Sequence, residues 1–324
     1  MQPLGKSLPF RTINDIAVHF QDNKTCIEYI TQLRWNGKPQ CAFCGHDHVY
    51  ELKGANKRYK CAKCRKHFSA IKGTIFENTT VPLAKWFMAI FILSTHRKGI
   101  SSVQVGRDIG VTQKTAWFMM QRVRNAFKMQ SFNITTKLGG DKIVEADEAY
   151  LAGKPIFMHK KKRIQRELEG YKKIIVAGAI ERGGIVKAQV IDKTSTYTLV
   201  PFLIKNVYQG TTLMTDEHLA YANANRVFQH STIKHMLKEY VKGDVHTNTI
   251  ENFWSVLKRG IYGTYHFISF KHAQNYLEEF AFRFNSRNIT EAQRFDKLVS
   301  LSNHRITYAT LTGKQKDKGT DQKA

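Results

Sequence analysis

No stretch of this 324-residue chain is apolar for long enough to span a bilayer. The longest purely apolar run, Trp86 to Leu93, covers eight residues, against the roughly 18 or more that a crossing needs. The opening MQPLGKSLPF has no apolar signal core, so a soluble, cytoplasmic protein with no membrane partner is expected. Acidic residues are scarce: 26 stand against 51 lysines and arginines, a formal net charge of +25. The five cysteines are few and odd in number, which without a secretory segment argues against a disulfide framework and for reduced thiols or metal ligands. No internal repeat is present. At about 150 residues per domain, two domains are expected, which excludes peptide hormones, toxins and wholly disordered tails. A composition that is 42% hydrophobic and 11% aromatic is that of a globular protein. Such a body repels itself unless something anionic is near, and the commonest polyanion it meets is nucleic acid.

The cysteines resolve by spacing. Cys41-x2-Cys44, a gap of 16 residues, and Cys61-x2-Cys64 fit a four-cysteine zinc ribbon, in which tetrahedral zinc closes a module too small for its own core. A redox pair needs no matching second pair. His46, His48 and His67 are read as surface side chains and Cys26 as a small core residue.

Around this module the apolar spacing is helical: Cys26, Ile27, Ile30 and Leu33 share a face, and Val81 to Leu93 reads as a buried helix with Pro82 in its first turn. Ser101 or Ser102 can cap a helix through Ile109, Gly110 can turn the chain, and Thr112 can cap a second helix through Arg124. This predicts a helix-turn-helix whose Arg107, Gln113, Lys114, Arg122 and Arg124 supply donors for phosphates and base edges. From Lys142 the period becomes two. Ile143 to Asp147, Lys173 to Ile180, Ile185 to Ile191 and Thr212 to Asp216 read as strands and Tyr197 to Val207 as a helix, an α/β or α+β arrangement. Phe270, Ala273, Tyr276, Leu277, Phe280 and Phe284 recur at helical spacing as core.

Three acids stand out. Asp147 closes a strand in IVEADEAY, Asp216 closes another in TLMTDEH, and Glu251 opens a helix in HTNTIENFWSVLKRG, with 68 residues between the first two and 34 between the last two. Two-metal phosphoryl transfer needs hard oxygen ligands converging from different elements. Glu251, Ser255 and Lys258 fall about one helix face, beside an apolar stripe of Ile250, Phe253, Trp254, Leu257 and Ile261. Glu251 could instead complete a capping box with Asn248. Glu145, Glu148 and Glu217 read as solvated neighbours.

CAFC and CAKC, GTIFENTTVPLAKW, VEADEAYLAGK, MTDEHLAY, HTNTIENFWSVLKRGIYGTYHFISFKH and FRFN together resemble the bacterial insertion-sequence transposases that carry an N-terminal zinc ribbon and are related to eukaryotic Merlin elements. The resemblance runs from about Trp35 to Asn288. It implies an RNase H-like fold and a DDE-type strand transferase acting on element ends with divalent metal. Asp147, Asp216 and Glu251 would be its metal ligands, holding two Mg2+ ions, and Lys258 its basic residue. Some members have asparagine at the third position, and Asn248 is the alternative here; the anionic ligand and the seven-residue step to Lys258 favour Glu251.

The expected organisation is an N-terminal helical segment (1–40), the ribbon (41–70), the helix-turn-helix (81–130) and the catalytic domain (140–300) with a basic insertion (152–172), then a disordered tail (305–324). Lys160, Lys161, Lys162, Arg163 and Arg166 of the insertion, with Lys258, Arg259, His266, Lys271 and His272, are expected on DNA phosphates. The partners expected are element terminal repeats and target DNA, bound by a homo-oligomer in the bacterial nucleoid. A catalytically inactive zinc-ribbon DNA-binding regulator and an RNase H-type nuclease are the alternatives.

Overall fold

The computed structural model describes residues 10–54, 57–133, 136–151, 159–161, 163–164, 173–233, 246–303 and 305–313. They divide into two units, one drawn from residues up to His96, Ser102–Met129 and those from Ile289 onward, the other from Arg97–Ser101 and Gln130–Asn288.

Local capping starts the first unit. Thr12 and Asp15 form a reciprocal capping box on α1 (Ile13–His19), and the Asp22 carboxylate accepts from the Thr25 amide at the head of α2 (Asn23–Trp35). Cys26 is fully buried on α2, as its spacing predicts. Three short antiparallel strands follow in sequence order, β1 (Val49–Leu52), β2 (Arg58–Cys61) and β3 (His67–Ser69). The apolar run becomes α3 (Leu83–Thr95), buried on most sides, with Pro82 at its N-cap rather than inside its first turn. Helices α4 (Ser102–Ile109) and α5 (Gln113–Asn133) meet through Gly110 at φ +64°, and the Thr112 hydroxyl caps α5 by accepting from the Thr115 amide. Their close approach depends on Gly106, where a Cβ would stand 2.9 Å from the Val111 carbonyl oxygen.

The C-terminal segment departs from the sequence expectation in two places. Residues 289–300, expected in the catalytic domain, belong to the first unit. The apolar face of α9 (Glu291–Ser300) delivers Phe295 into an aromatic cluster, 5.5 Å from the Phe87 ring and 5.9 Å from Phe10 and Tyr29. The expected tail from 305 begins instead with an ordered α10 (Tyr308–Thr312), whose Leu311 is buried and whose Tyr308 ring lies 5.5 Å from Phe118. Residues 314–324 lie outside the described residues.

Period-two patterning builds the second unit: β4 (Val144–Leu151), β5 (Ile174–Glu181), β6 (Val186–Ile191), β7 (Thr212–Asp216) and β8 (Gln229–Ile233). They form one sheet in the order β6-β5-β4-β7-β8, antiparallel from β6 to β4 and parallel from β4 to β8. A central first strand flanked by an antiparallel hairpin pair on one side and two parallel strands on the other is the RNase H-like topology. Helix α6 (Thr196–Asn206) covers one face through Leu199, Phe202 and Leu203, packed on Val144, Ala146, Ala177 and Ala179. Helices α7 (Asn248–Gly260) and α8 (Ala273–Asn285) cover the other, where the predicted stripe Ile250, Phe253, Trp254, Leu257 and Ile261 is buried against Ala149, Leu151 and Val176. Ala273, Tyr276, Leu277 and Phe280 are core as expected; Phe270 is not, being 49% exposed in the turn before α8. Asp147 lies in the middle of β4 rather than at its end, because Ala149 and Leu151 carry the apolar alternation onward. Among the described residues no helix is long and apolar enough to cross a membrane.

Candidate active site

The four ribbon cysteines converge. Cys41 and Cys64 place their sulfurs 3.6 Å apart, Cys44 and Cys61 3.7 Å, and all four lie within 4.8 Å of one another. Thiolates about 2.3 Å from a tetrahedral zinc stand about 3.8 Å apart, so the donor set fits that ion. Backbone amides of Phe43 and Cys64 point at the Cys41 and Cys61 sulfurs, each at 3.4 Å, as knuckles that stabilise thiolate charge. This is a structural zinc site.

In the second unit, β4 and β7 pair in parallel through Val144–Leu213 and Glu145–Met214, two residues before Asp147 and Asp216 respectively, and the Asp216 charge acts on the Asp147 carboxyl. A cleft of about 720 Å³ opens here, lined by Asp147, Glu148 and, from α7, Glu251, Ser255 and Lys258. Burial, then the charges of Glu148 and Asp216, push the Asp147 carboxyl up to about 7, although it accepts a hydrogen bond from Trp254 Nε1. Burial also raises Glu148, against a hydrogen bond from the Tyr221 hydroxyl at 2.9 Å. Asp216 accepts from the His218 amide at 3.1 Å. Among the described residues only the cysteine quartet gathers three or more potential ligand atoms within 4.8 Å of one another, so the acids are spread more widely than the thiolates.

Glu251 is exposed on α7, accepts from the Thr247 hydroxyl at 2.9 Å and lines the cleft, whereas Asn248 opens the helix outside that lining. The capping box between them does not form, because the N-cap is Thr247 and the α7 amides turn to another strand. Glu145 Oε2 accepts from the Thr249 and Ile250 amides at 2.8 and 3.0 Å. Glu145, with no exposed surface, and Glu148, with a side chain 6% exposed, are therefore not solvated neighbours. Alternation along β4, which sets Glu145 and Asp147 on one face, was the available signal for Glu145.

The expected DNA-facing residues separate. Arg107, Gln113, Lys114, Lys160, Lys161, Arg259 and Lys271 are exposed and Arg163 is half-buried, while Lys162 and Arg166 lie outside the described residues. Gln113 donates to the Ser102 hydroxyl at 2.9 Å, and Arg259 also lines the cleft. Arg122 and Arg124 are corrected: both are buried, and Arg122 spends its donors on the carbonyls of Ile75, Glu77 and Ile306.

An ISXO2-like transposase domain matches residues 137–285 and a transposase zinc-ribbon domain residues 21–67. A protein of Halobacterium salinarum, described as an uncharacterized protein in transposable element ISH50, is 27% identical over 253 residues, covering 74% of this chain and 83% of its own. Of solved structures, the mariner Mos1 paired end complex with Mg covers 68% of this chain and 80% of its own at 13% identity and a TM-score of 0.26. The pre-cleavage Mos1 transpososome covers 67% and 79% at 10% identity and the same TM-score. Both superpositions are loose, and the fold assignment stands on the strand order instead. With one transposase domain over the sheet and another over the cysteine quartet, the chain belongs to the insertion-sequence transposases that carry an N-terminal zinc ribbon.

Proposed function

We propose that Asp147, Asp216 and Glu251 bind two Mg2+ ions and that this site cuts DNA at the ends of an insertion element and joins the freed ends to target DNA. The observation that carries this reading is that the β4–β7 pairing ends two residues before both Asp147 and Asp216, whose charges act on each other, while Glu251 lines from α7 the cleft that Asp147 lines. A carboxyl pushed to about 7 by burial and by two neighbouring acids is poorly stabilised as an anion, and a bound cation relieves that cost. Carboxylate oxygens are the ligands Mg2+ prefers.

When bound, the metals would activate the attacking oxygen and stabilise the leaving one. The chain's own residues orient the reaction. Lys258, one turn beyond Ser255 on the cleft face of α7, neutralises and positions a phosphate, and Arg259 extends that contact. Water attacks the phosphodiester at the element end and the P–O3′ bond breaks, freeing a 3′-hydroxyl. That hydroxyl then attacks a target phosphodiester: a P–O bond forms to the element's 3′-oxygen, the target's own P–O3′ bond breaks, and the released target 3′-oxygen takes up the proton. The ribbon and the α4–α5 pair hold the ends through exposed Arg107 and Lys114, and two copies bring two ends together.

Incubating the protein with Mg2+ and a duplex carrying the element's own ends tests this. Cut and joined products are expected, with Asp147→Asn retaining end binding and losing both reactions. Cutting without joining would identify an RNase H-type nuclease; binding without cutting would identify a regulator.

A further inference from the structure

The elements that carry the three acids are tied together by a side-chain pair outside the cleft lining. Glu145, two residues before Asp147, sits on the α7 side of β4 with no exposed surface. A buried carboxylate is costly unless its lone pairs are used, and here they are. Oε2 takes the Thr249 and Ile250 amides, and Oε1 takes the Thr249 hydroxyl at 2.9 Å and Arg182 Nε at 2.7 Å. The first amides of α7 thereby meet an anion, as a helix N-terminus requires. Arg182, just beyond β5, extends Nη2 to the His246 carbonyl at 2.9 Å and the Met214 sulfur at 3.1 Å. Imidazole Nδ1 of His246 stands 3.3 Å from Glu145 Oε1.

These contacts fall at particular places. Glu145 is two residues from Asp147, Met214 two from Asp216, and Thr249 two from Glu251. The described β4–β7 pairing ends at Glu145–Met214, so both aspartates project beyond the last rung that holds their strands together. Apolar burial presses α7 onto the sheet but is non-directional and sets its position along the axis less sharply than hydrogen bonds do. Hydrogen bonds from Thr249 and Ile250 to the Glu145 carboxylate add that directional restraint at the start of α7.

We propose that Glu145 and Arg182 are positioning residues of the catalytic centre: as a clamp they set the separation of Asp147, Asp216 and Glu251, so that divalent cations meet a preformed carboxylate set. The inference rests on the reading that these three acids hold the cations. A buried ion pair contributes little net stability relative to an apolar replacement, and the clamp's value lies in geometry.

The test uses the full-length, zinc-loaded protein, Mn2+ as the probe, and two readouts: melting temperature and Mn2+ affinity by calorimetry. Arg182→Lys keeps the charge but cannot reach Glu145 and His246 together. Glu145→Gln keeps the volume but sets an amide NH2 against existing donors. Both are expected to lower the melting temperature, because one partner of a buried pair is lost, and, below that temperature, to bind Mn2+ about tenfold more weakly. Thr249→Val removes a single bond at constant volume, remains available if the others fail to fold, and is expected to weaken Mn2+ about threefold. Asp147→Asn, the marker for the site itself, is expected to abolish Mn2+ binding. Clamp variants that bind Mn2+ within twofold of the parent, alongside an Asp147→Asn that does not bind, would overturn the clamp alone. An unchanged affinity in Asp147→Asn would overturn the metal-site reading and the clamp with it.

Discussion

Trp254 donates from its indole Nε1 to Asp147 Oδ2 at 3.0 Å while its ring lies over Gly178, the residue paired with Asp147 across β4 and β5. One side chain thus packs α7 on the sheet and orients the carboxylate at the cleft. The absence of a side chain at position 178 is what admits the ring: a Cβ there would stand 2.7 Å from two of its carbons.

Gly178→Ala is therefore expected to displace the indole and break its bond to Asp147. Overpacking of this kind costs about 1–3 kcal/mol, measurable by urea denaturation, and single-turnover cleavage should slow at least tenfold. Trp254→Phe keeps most of the packing and removes the donor, so its rate should fall with a smaller loss of stability. If Gly178→Ala retained both rate and stability, the indole would have no orienting role.

Arg122 and Lys114 share a helix and should respond oppositely. Arg122 is 5% exposed; its Nη1 donates to the Ile75 carbonyl at 2.7 Å and its Nε to the Ile306 carbonyl at 3.0 Å. Burial holds its pKa below the usual arginine value. Arg122→Ala leaves buried carbonyls unpaired and should cost about 3 kcal/mol, with no specific change in the salt dependence of DNA binding. Lys114→Ala should stay within about 0.5 kcal/mol of the parent and reduce the slope of log affinity against log salt by about one. The reverse pattern, tracked by denaturation and by binding at several salt concentrations, would restore Arg122 to the DNA-facing set.

That contrast shows where sequence reading stops. Strands β4 to β7, the stripe on α7 and the cysteine quartet were legible because each is encoded by local spacing. Arg122 looks like any basic residue on an amphipathic helix until Ile75, Glu77 and Ile306, far away in sequence, arrive to take its donors. Alternation along β4 gives the face of Glu145 but not its burial, and gives neither for Glu148: what distinguishes a buried acid from a solvated one is its partners, and theirs are Arg182, Thr249 and Tyr221. The sequence places residues up to 300 in the catalytic domain, whereas Phe295 finds its place among aromatic rings of the first unit. Asp216 was read correctly as a strand end, and Asp147 was not, because Glu148 breaks the apolar alternation although the strand continues.

Zinc removal offers a separate test. Strands of three and four residues bury too little surface to hold a ribbon without its metal. Elemental analysis should find one zinc per chain. Stripping it with a strong chelator, or substituting Cys44→Ser, should abolish end binding at every salt concentration while Mn2+ affinity at the acidic site is retained. A zinc-free protein that binds ends with parental affinity would remove the ribbon from DNA recognition.

Glu77 supplies the pH test. Its side chain, 8% exposed, meets Lys72 Nζ at 2.6 Å, the Gly73 amide at 2.9 Å and Arg305 at 3.3 Å. Burial alone would raise its pKa, but the hydrogen bonds from Lys72 and Gly73 and the charges of Arg305 and Lys72 outweigh it and hold the carboxyl below its ordinary 4.5. A folded-state pKa below the unfolded one means that the unfolded chain takes the proton first as acid is added. The stabilisation is therefore complete above about 4.5 and disappears as pH falls through the lower, folded value. Glu77→Gln should cost about 1–3 kcal/mol at pH 7, and the gap from the parent should close progressively below pH ~4.5. Urea denaturation at pH 7, 5 and 3 reads this directly (~4 units of span,). A gap that stays constant across that range would assign the Glu77 contribution to packing rather than to charge.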